Sequence, residues 1–104
     1  MLLGRVVGTL VASRKDEGLE GQKLLVVQNI GLDGEDTGGY VIAVDSVGAG
    51  DGDVVLYAGG SSARQTLATK DRPCDAVVMA IVDNWQVGDN QVYRKTAADG
   101  PWAS

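Results

Sequence analysis

Histidine and phenylalanine are absent from this sequence of 104 residues, and cysteine occurs once, at Cys74. Without histidine, the Ser-His-Asp and Cys-His arrangements of nucleophilic catalysis are excluded, as is any imidazole-bound metal. One cysteine can form neither an internal disulfide nor a four-thiolate zinc site. Two tryptophans and three tyrosines are the only aromatics, so the core must be mostly aliphatic. No apolar run approaches the ~20 residues needed to cross a bilayer as a helix.

Basic charge is also scarce. Nine Lys and Arg face 14 Asp and Glu, for a net charge of −5 and a pI near 4.4. Lys15, Lys23, Lys70 and Lys95 are scattered and form no run with the arginines. Nucleic-acid binding draws most of its affinity from neutralised phosphates, so no nucleic-acid partner is expected. The start, Met1-Leu2-Leu3-Gly4-Arg5, lacks the basic-then-apolar layout of a secretory signal. With the single thiol, this points to the cytosol.

Glycine is abundant. Fifteen of 104 residues is about twice the usual ~7%. A glycine inside a helix costs ~1 kcal/mol relative to alanine, which argues against a helical bundle. Aliphatic, β-branched stretches bounded by glycine and aspartate read as strands: Leu2–Ser13, Lys23–Ile30, Tyr40–Val47, Asp53–Ala58 and Ala76–Asp83. One short helix is expected over Ser61–Ala68, with Ser61 or Ser62 as its N-cap. The tail from Asn84 is polar; Gln91–Arg94 is expected to add one strand, followed by a flexible end. The division is therefore a β-strand domain over 1–83 and an extension over 84–104.

Several strands are apolar on both faces, notably Leu24-Leu25-Val26-Val27 and Ala76 to Val82. A small antiparallel sheet normally turns one face to water, so such strands need a second cover. One short helix cannot supply it. An obligate oligomer is the simplest solution.

The segment Gly48-Ala49-Gly50-Asp51-Gly52 superficially resembles a phosphate-binding loop. The dinucleotide pattern needs a third glycine where Asp53 stands, and a helix where a strand follows. Asp33, Glu35 and Asp36 lack the spacing of a calcium loop and read as a solvated turn. Asp45, Asp75 and Asp83 read as turn caps or as partners of Arg5, Arg64 or Arg72. Cys74, with no basic neighbour of the right kind, reads as a small buried hydrophobe.

Three segments in order carry a resemblance: Gly4-Arg5-Val6-Val7-Gly8-Thr9, Val44-Asp45-Ser46-Val47-Gly48-Ala49-Gly50, and Gly60-Ser61-Ser62-Ala63-Arg64. Lys23 to Gln28 and Pro73-Cys74-Asp75-Ala76 support it. Over residues 1–83 the chain resembles the EutN/CcmL family of bacterial microcompartment vertex proteins. The resemblance implies an all-β, OB-like barrel of about five strands with one short helix, assembled as a cyclic homopentamer. It implies a structural role, capping five-fold vertices of a polyhedral shell whose facets are hexameric and pseudohexameric shell proteins. It places the protein in the bacterial cytoplasm, within that shell, with no cofactor, metal or catalytic residue. By the same analogy Gly48, Ala49, Gly50, Ser61, Ser62 and Arg64 lie toward the five-fold axis or the subunit interface. Arg14, Lys15, Asp33 and Asp36, in polar loops, are candidates for the hexamer-facing rim. Cys74 departs from the family's usual aliphatic residue, and Asp51 and Asp53 make the loop after Gly50 unusually acidic.

Small residues let backbones approach closely around an axis, and cyclic symmetry closes a head-to-tail contact that would otherwise run into a fibre. The competing reading is a small-ligand or single-strand-binding OB-type oligomeric module, which would stack bases on exposed aromatics in a basic groove. A third, an enzyme using Arg64 and an aspartate between subunits, lacks a base with a tuned pKa.

Overall fold

In the computed structural model, the residues described are 1–11, 23–59 and 76–95. They form seven strands: β1 (Leu2–Leu10), β2 (Leu24–Ile30), β3 (Asp36–Asp45), β4 (Val54–Gly59), β5 (Ala76–Ile81), β6 (Asn84–Val87) and β7 (Asn90–Arg94). The first five close into a barrel in the order β1-β2-β3-β5-β4, as the family resemblance implied. All pairings are antiparallel except β3 with β5, where Val44 meets Val77 and Asp45 meets Val78. The helix expected at Ser61–Ala68, Cys74 and the C-terminal end all lie outside the described residues.

Period-two alternation decides which residues fill the barrel. Val6, Leu25, Val27, Ala43, Val55, Tyr57 and Val78 point inward and are buried. Gly4 lies between β2 and β4, opposite Asn29 and Val55. A Cβ there would collide with Val27 Cγ1 and lie 3.0 Å from the Gln28 carbonyl oxygen. Only glycine lets the walls come this close. The Tyr57 hydroxyl donates to Asn29 Oδ1. Burial pushes the Tyr57 phenol above its ordinary pKa.

Two further clusters sit on the barrel's outer side. Val44, Ala58 and Val77 form one, where β3, β4 and β5 meet. Ile30, Val54 and Tyr93 form the other, with Leu3, Val82 and Trp85 packed against it.

The structure departs from the sequence reading in two places. Strand β3 begins at Asp36, four residues before Tyr40. Gly38 and Gly39 adopt φ of 83° and 76° inside it, and the register with β2 shifts between Gln28 and Ile30. The bulge admits both left-handed glycines without ending the strand, and Gln28 Nε2 donates to the Gly39 carbonyl at 2.8 Å. The region after Asp83 holds two strands instead of one. Gly88, at φ 60°, turns β6 into β7. Trp85 stacks on Tyr93 with centroids 4.9 Å apart, and its indole N–H donates to the Leu32 carbonyl at 2.8 Å. The hairpin thus covers apolar surface that the barrel alone would leave wet.

Candidate functional site

The loop from Ser46 to Gly52 leaves β3 and is wound around two carboxylates. Asp45, its side chain 4% exposed, accepts through Oδ1 from the backbone N–H groups of Val47, Gly48 and Ala49 at 3.0, 3.1 and 3.2 Å. Asp53 Oδ2 accepts from Gly50 N–H at 2.9 Å. Gly52 N–H donates to the Val6 carbonyl, and Asp53 N–H to the Gly50 carbonyl. The amides that a phosphate loop would aim at its ligand are therefore spent on the protein's own oxygens.

Two lysines steady this loop. Lys23 Nζ donates to the Ala49 carbonyl at 2.8 Å and lies 3.7 Å from Asp45 Oδ2. Lys95 Nζ donates to Asp53 Oδ1 at 3.0 Å. Burial opposes ionisation of Asp53. The Gly50 amide and the Lys95 ammonium outweigh that, with a smaller contribution from Lys23, and hold its pKa below the usual carboxylate value. The acidity that Asp53 lends the loop on paper is thus largely countered. Burial first, then the fields of Asp53 and Asp83, push the Tyr93 phenol up.

Of the residues singled out from the sequence, Gly48, Ala49 and Gly50 share this loop. Gly48 has φ 80°, a conformation that favours glycine. Ala49 is buried and belongs to the barrel's own core, which accounts for its size within the protomer. Gly50 faces open space, with nothing within 4 Å of where a Cβ would stand. Asp33 caps its turn by accepting from Glu35 N–H at 3.0 Å. Asp36 is held by Arg5, with Nη2 to Oδ1 at 3.0 Å. Arg5 therefore pairs with Asp36, and Asp45 with Lys23, neither pair being one expected from the sequence. Ser61, Ser62, Arg64, Arg14 and Lys15 lie outside the described residues.

Sequence reasoning missed Lys23, Lys95 and the Trp85–Tyr93 pair. The hairpin had a signal: Gly88-Asp89 separates Trp85-Gln86-Val87 from Gln91-Val92-Tyr93, and a two-residue Gly-Asp connection between such runs marks a turn. The lysines had none, because their partners lie 22 to 42 residues away. Among the described residues, no group of three or more Cys, Asp or Glu is placed to hold a metal ion. Tyr57 and Tyr93 are buried, Trp85 is partly covered, and Tyr40 is exposed.

The model of the family described as "Ethanolamine utilisation protein EutN/carboxysome" matches residues 1–83. The carboxysome shell vertex protein CcmL of Gloeobacter violaceus is 42% identical over 95 residues, spanning 91% of this chain and 95% of its own. Its solved structure matches with a TM-score of 0.87, covering 91% of this chain and 98% of that one. The microcompartment shell vertex protein PduN of Salmonella typhimurium is 46% identical over 87 residues, 80% of this chain and 96% of its own. The structure of GrpN, a pentameric microcompartment shell protein from Rhodospirillum rubrum, matches with a TM-score of 0.76 at 42% identity. It covers 84% of this chain and all of that one.

Proposed function

The chain belongs to the EutN/CcmL family, and from that premise we propose that it forms a homopentamer at the five-fold vertices of a bacterial microcompartment shell. Its work is geometric. A flat hexagonal sheet cannot close, and a five-fold unit introduces the curvature that closure needs. The reading is of a structural protein without catalytic activity, working in the bacterial cytoplasm and bounded by hexameric and pseudohexameric shell proteins. Residues 1–83 are the shell domain in this reading, and 84–104 a C-terminal extension.

One observation carries the proposal: the match extends over nine-tenths of the chain and almost the whole of a named vertex protein, in sequence and in fold. The residue assignments follow the family analogy. Gly48, Gly50, Ser61, Ser62 and Arg64 are proposed near the axis or the subunit contact, and Arg14, Lys15 and Asp33 at the rim that meets hexamers. Asp36 would act there as a bridged pair with Arg5.

Light scattering across a dilution series tests the ring. A stable species near five times the 10.8 kDa chain mass is expected. A particle that stays monomeric at every concentration overturns the pentamer. Co-expression with hexameric shell proteins, followed by electron microscopy, tests the vertex role. Closed particles should require this chain; particles that close equally well without it overturn that role.

A further inference from the structure

A cavity of about 420 Å³ opens between the β6–β7 hairpin and the barrel wall. Leu3 of β1, Leu56 of β4, Val82 and Trp85 give it an apolar lining. Met1 and Leu32 line it too, 74% and 67% exposed, large apolar side chains that the described residues leave in water. Two uncharged amides, Asn84 and Gln86, complete the lining, and no charged side chain contributes. Leu3, Val82 and Trp85 also pack on the cluster of Ile30, Val54 and Tyr93, so the cavity continues the apolar seam that seats the hairpin.

Such a lining selects its occupant. An ion would lose its hydration there with no opposite charge to meet. One large, neutral, mostly apolar group with a single polar handle suits it better. An indole has this character: its ring is apolar, and its N–H needs one acceptor, which the side-chain carbonyl of Asn84 or Gln86 offers.

The path of the chain supplies a source. Lys95 N–H donates to the Asp83 carbonyl at 2.7 Å, and Asp83 stands between Val82 and Asn84, which both line the cavity. Arg94 pairs with Asn84 across the hairpin. The chain therefore passes Lys95 at the cavity's edge. Residues 96–104 lie outside the described residues; their sequence is Thr-Ala-Ala-Asp-Gly-Pro-Trp-Ala-Ser. Trp102 is the one large side chain among them, seven positions beyond Lys95. Seven residues span up to ~23 Å when extended, and Gly100-Pro101 is a pair that marks a turn. A tether this short holds the indole at an effective concentration on the order of millimolar. A weak apolar contact then suffices, and a free ligand competes poorly.

We infer that the cavity between the hairpin and the β1–β4 wall is the seat of this chain's own C-terminal segment, with the Trp102 indole as the group that fills it. The hairpin wall and this segment both lie beyond residue 83, where the family model's match stops, and the inference holds whether or not the chain forms a ring.

Methyl NMR of the full chain tests it, with Trp102→Ala as the comparison, since that substitution touches none of the seven strands. Cross-relaxation from the Trp102 ring protons to the methyl groups of Leu3, Leu56 and Val82 is expected. Trp102→Ala should abolish it and shift those methyl signals, while Ile42 of β3, which does not line the cavity, stays in place. A second sample separates the chain's own segment from a neighbour's: methyl-labelled chains carrying deuterated tryptophan, refolded together with unlabelled chains. Contacts that vanish in this mixture arise within one chain, as expected. Contacts that persist there put a neighbour's segment in the cavity and overturn the inference. Methyl signals unmoved by Trp102→Ala, with no cross-relaxation to Trp102, overturn it as well and leave the cavity to water or to a small apolar ligand.

Discussion

Lys95, just beyond β7, places its ammonium 3.0 Å from the carboxylate of Asp53, at the start of β4. This contact ties the end of the hairpin to the loop that the sequence marked as acidic. Lys95 N–H also donates to the Asp83 carbonyl at 2.7 Å, so the backbone that presents the side chain is itself anchored. Both charges are partly screened by solvent, which limits the energy at stake.

Lys95→Met should cost about 1 kcal/mol of stability, read as a lower urea midpoint with an unchanged slope. The Gly50 amide still supports Asp53, so the loop should persist. NMR titration should show the Asp53 carboxyl moving up toward its ordinary value.

The depressed pKa of Asp53 has a definite sign in the pH dependence. Between the folded and unfolded pKa values the unfolded chain binds more protons, so stability falls as pH falls. The contribution is complete above the ordinary value of 3.8 and is lost as pH drops from there through the lower folded value. Urea unfolding at pH 7 and pH 3 should therefore show a smaller acid loss in Asp53→Asn than in wild type. Equal losses would contradict the assignment.

Asp45→Ala should be much more damaging than Asp45→Asn. Alanine strands three backbone N–H donors and leaves Lys23 without its carboxylate. Only the Ala49 donor is part-buried while water can reach those of Val47 and Gly48, so the loss should be about 1–2 kcal/mol. Asparagine keeps an acceptor oxygen. Hydrogen exchange at Val47, Gly48 and Ala49 should accelerate strongly in the alanine variant.

Gly4→Ala and Gly50→Ala differ by one methyl group in opposite surroundings. At Gly4 the methyl meets Val27 and the Gln28 carbonyl, and overpacking should cost about 1–3 kcal/mol. At Gly50 it meets open space, so the change in thermal midpoint of the protomer should be within experimental error. A comparable loss at both positions would refute the packing account of Gly4.

Much of the barrel was legible because its signals are local. Leu25 and Val27 alternate with Leu24 and Val26, and glycine or aspartate stands at nearly every strand end. The early start of β3 was hidden because Gly38-Gly39 reads as a turn, whereas pairing with β2 absorbs it as a bulge. Strand β6 was hidden by polarity: Asn84 and Gln86 leave only Trp85 and Val87 to suggest a strand. Of the candidate positions, the glycine-rich loop was visible as a glycine-rich loop. The reading of Asp45 as a turn cap holds, since it accepts from the next amides in the chain; that Asp53 and the two lysines complete the arrangement was not visible, because those partners depend on how the fold brings distant residues together.

Composition and local pattern alone determined that this chain is a small, acidic β protein, built from glycine-punctuated aliphatic strands and without imidazole chemistry. Those properties depend on which side chains exist and on period-two alternation over a few neighbours. Tertiary structure decided the rest: that Gly4 is demanded by its own barrel while Gly50 is not, that Lys23 and Lys95 neutralise the loop carboxylates, and that a hairpin shields Val54 while Leu32 stays open. Each of these depends on distances between residues far apart in the chain, which exist only once the five strands have closed on one another.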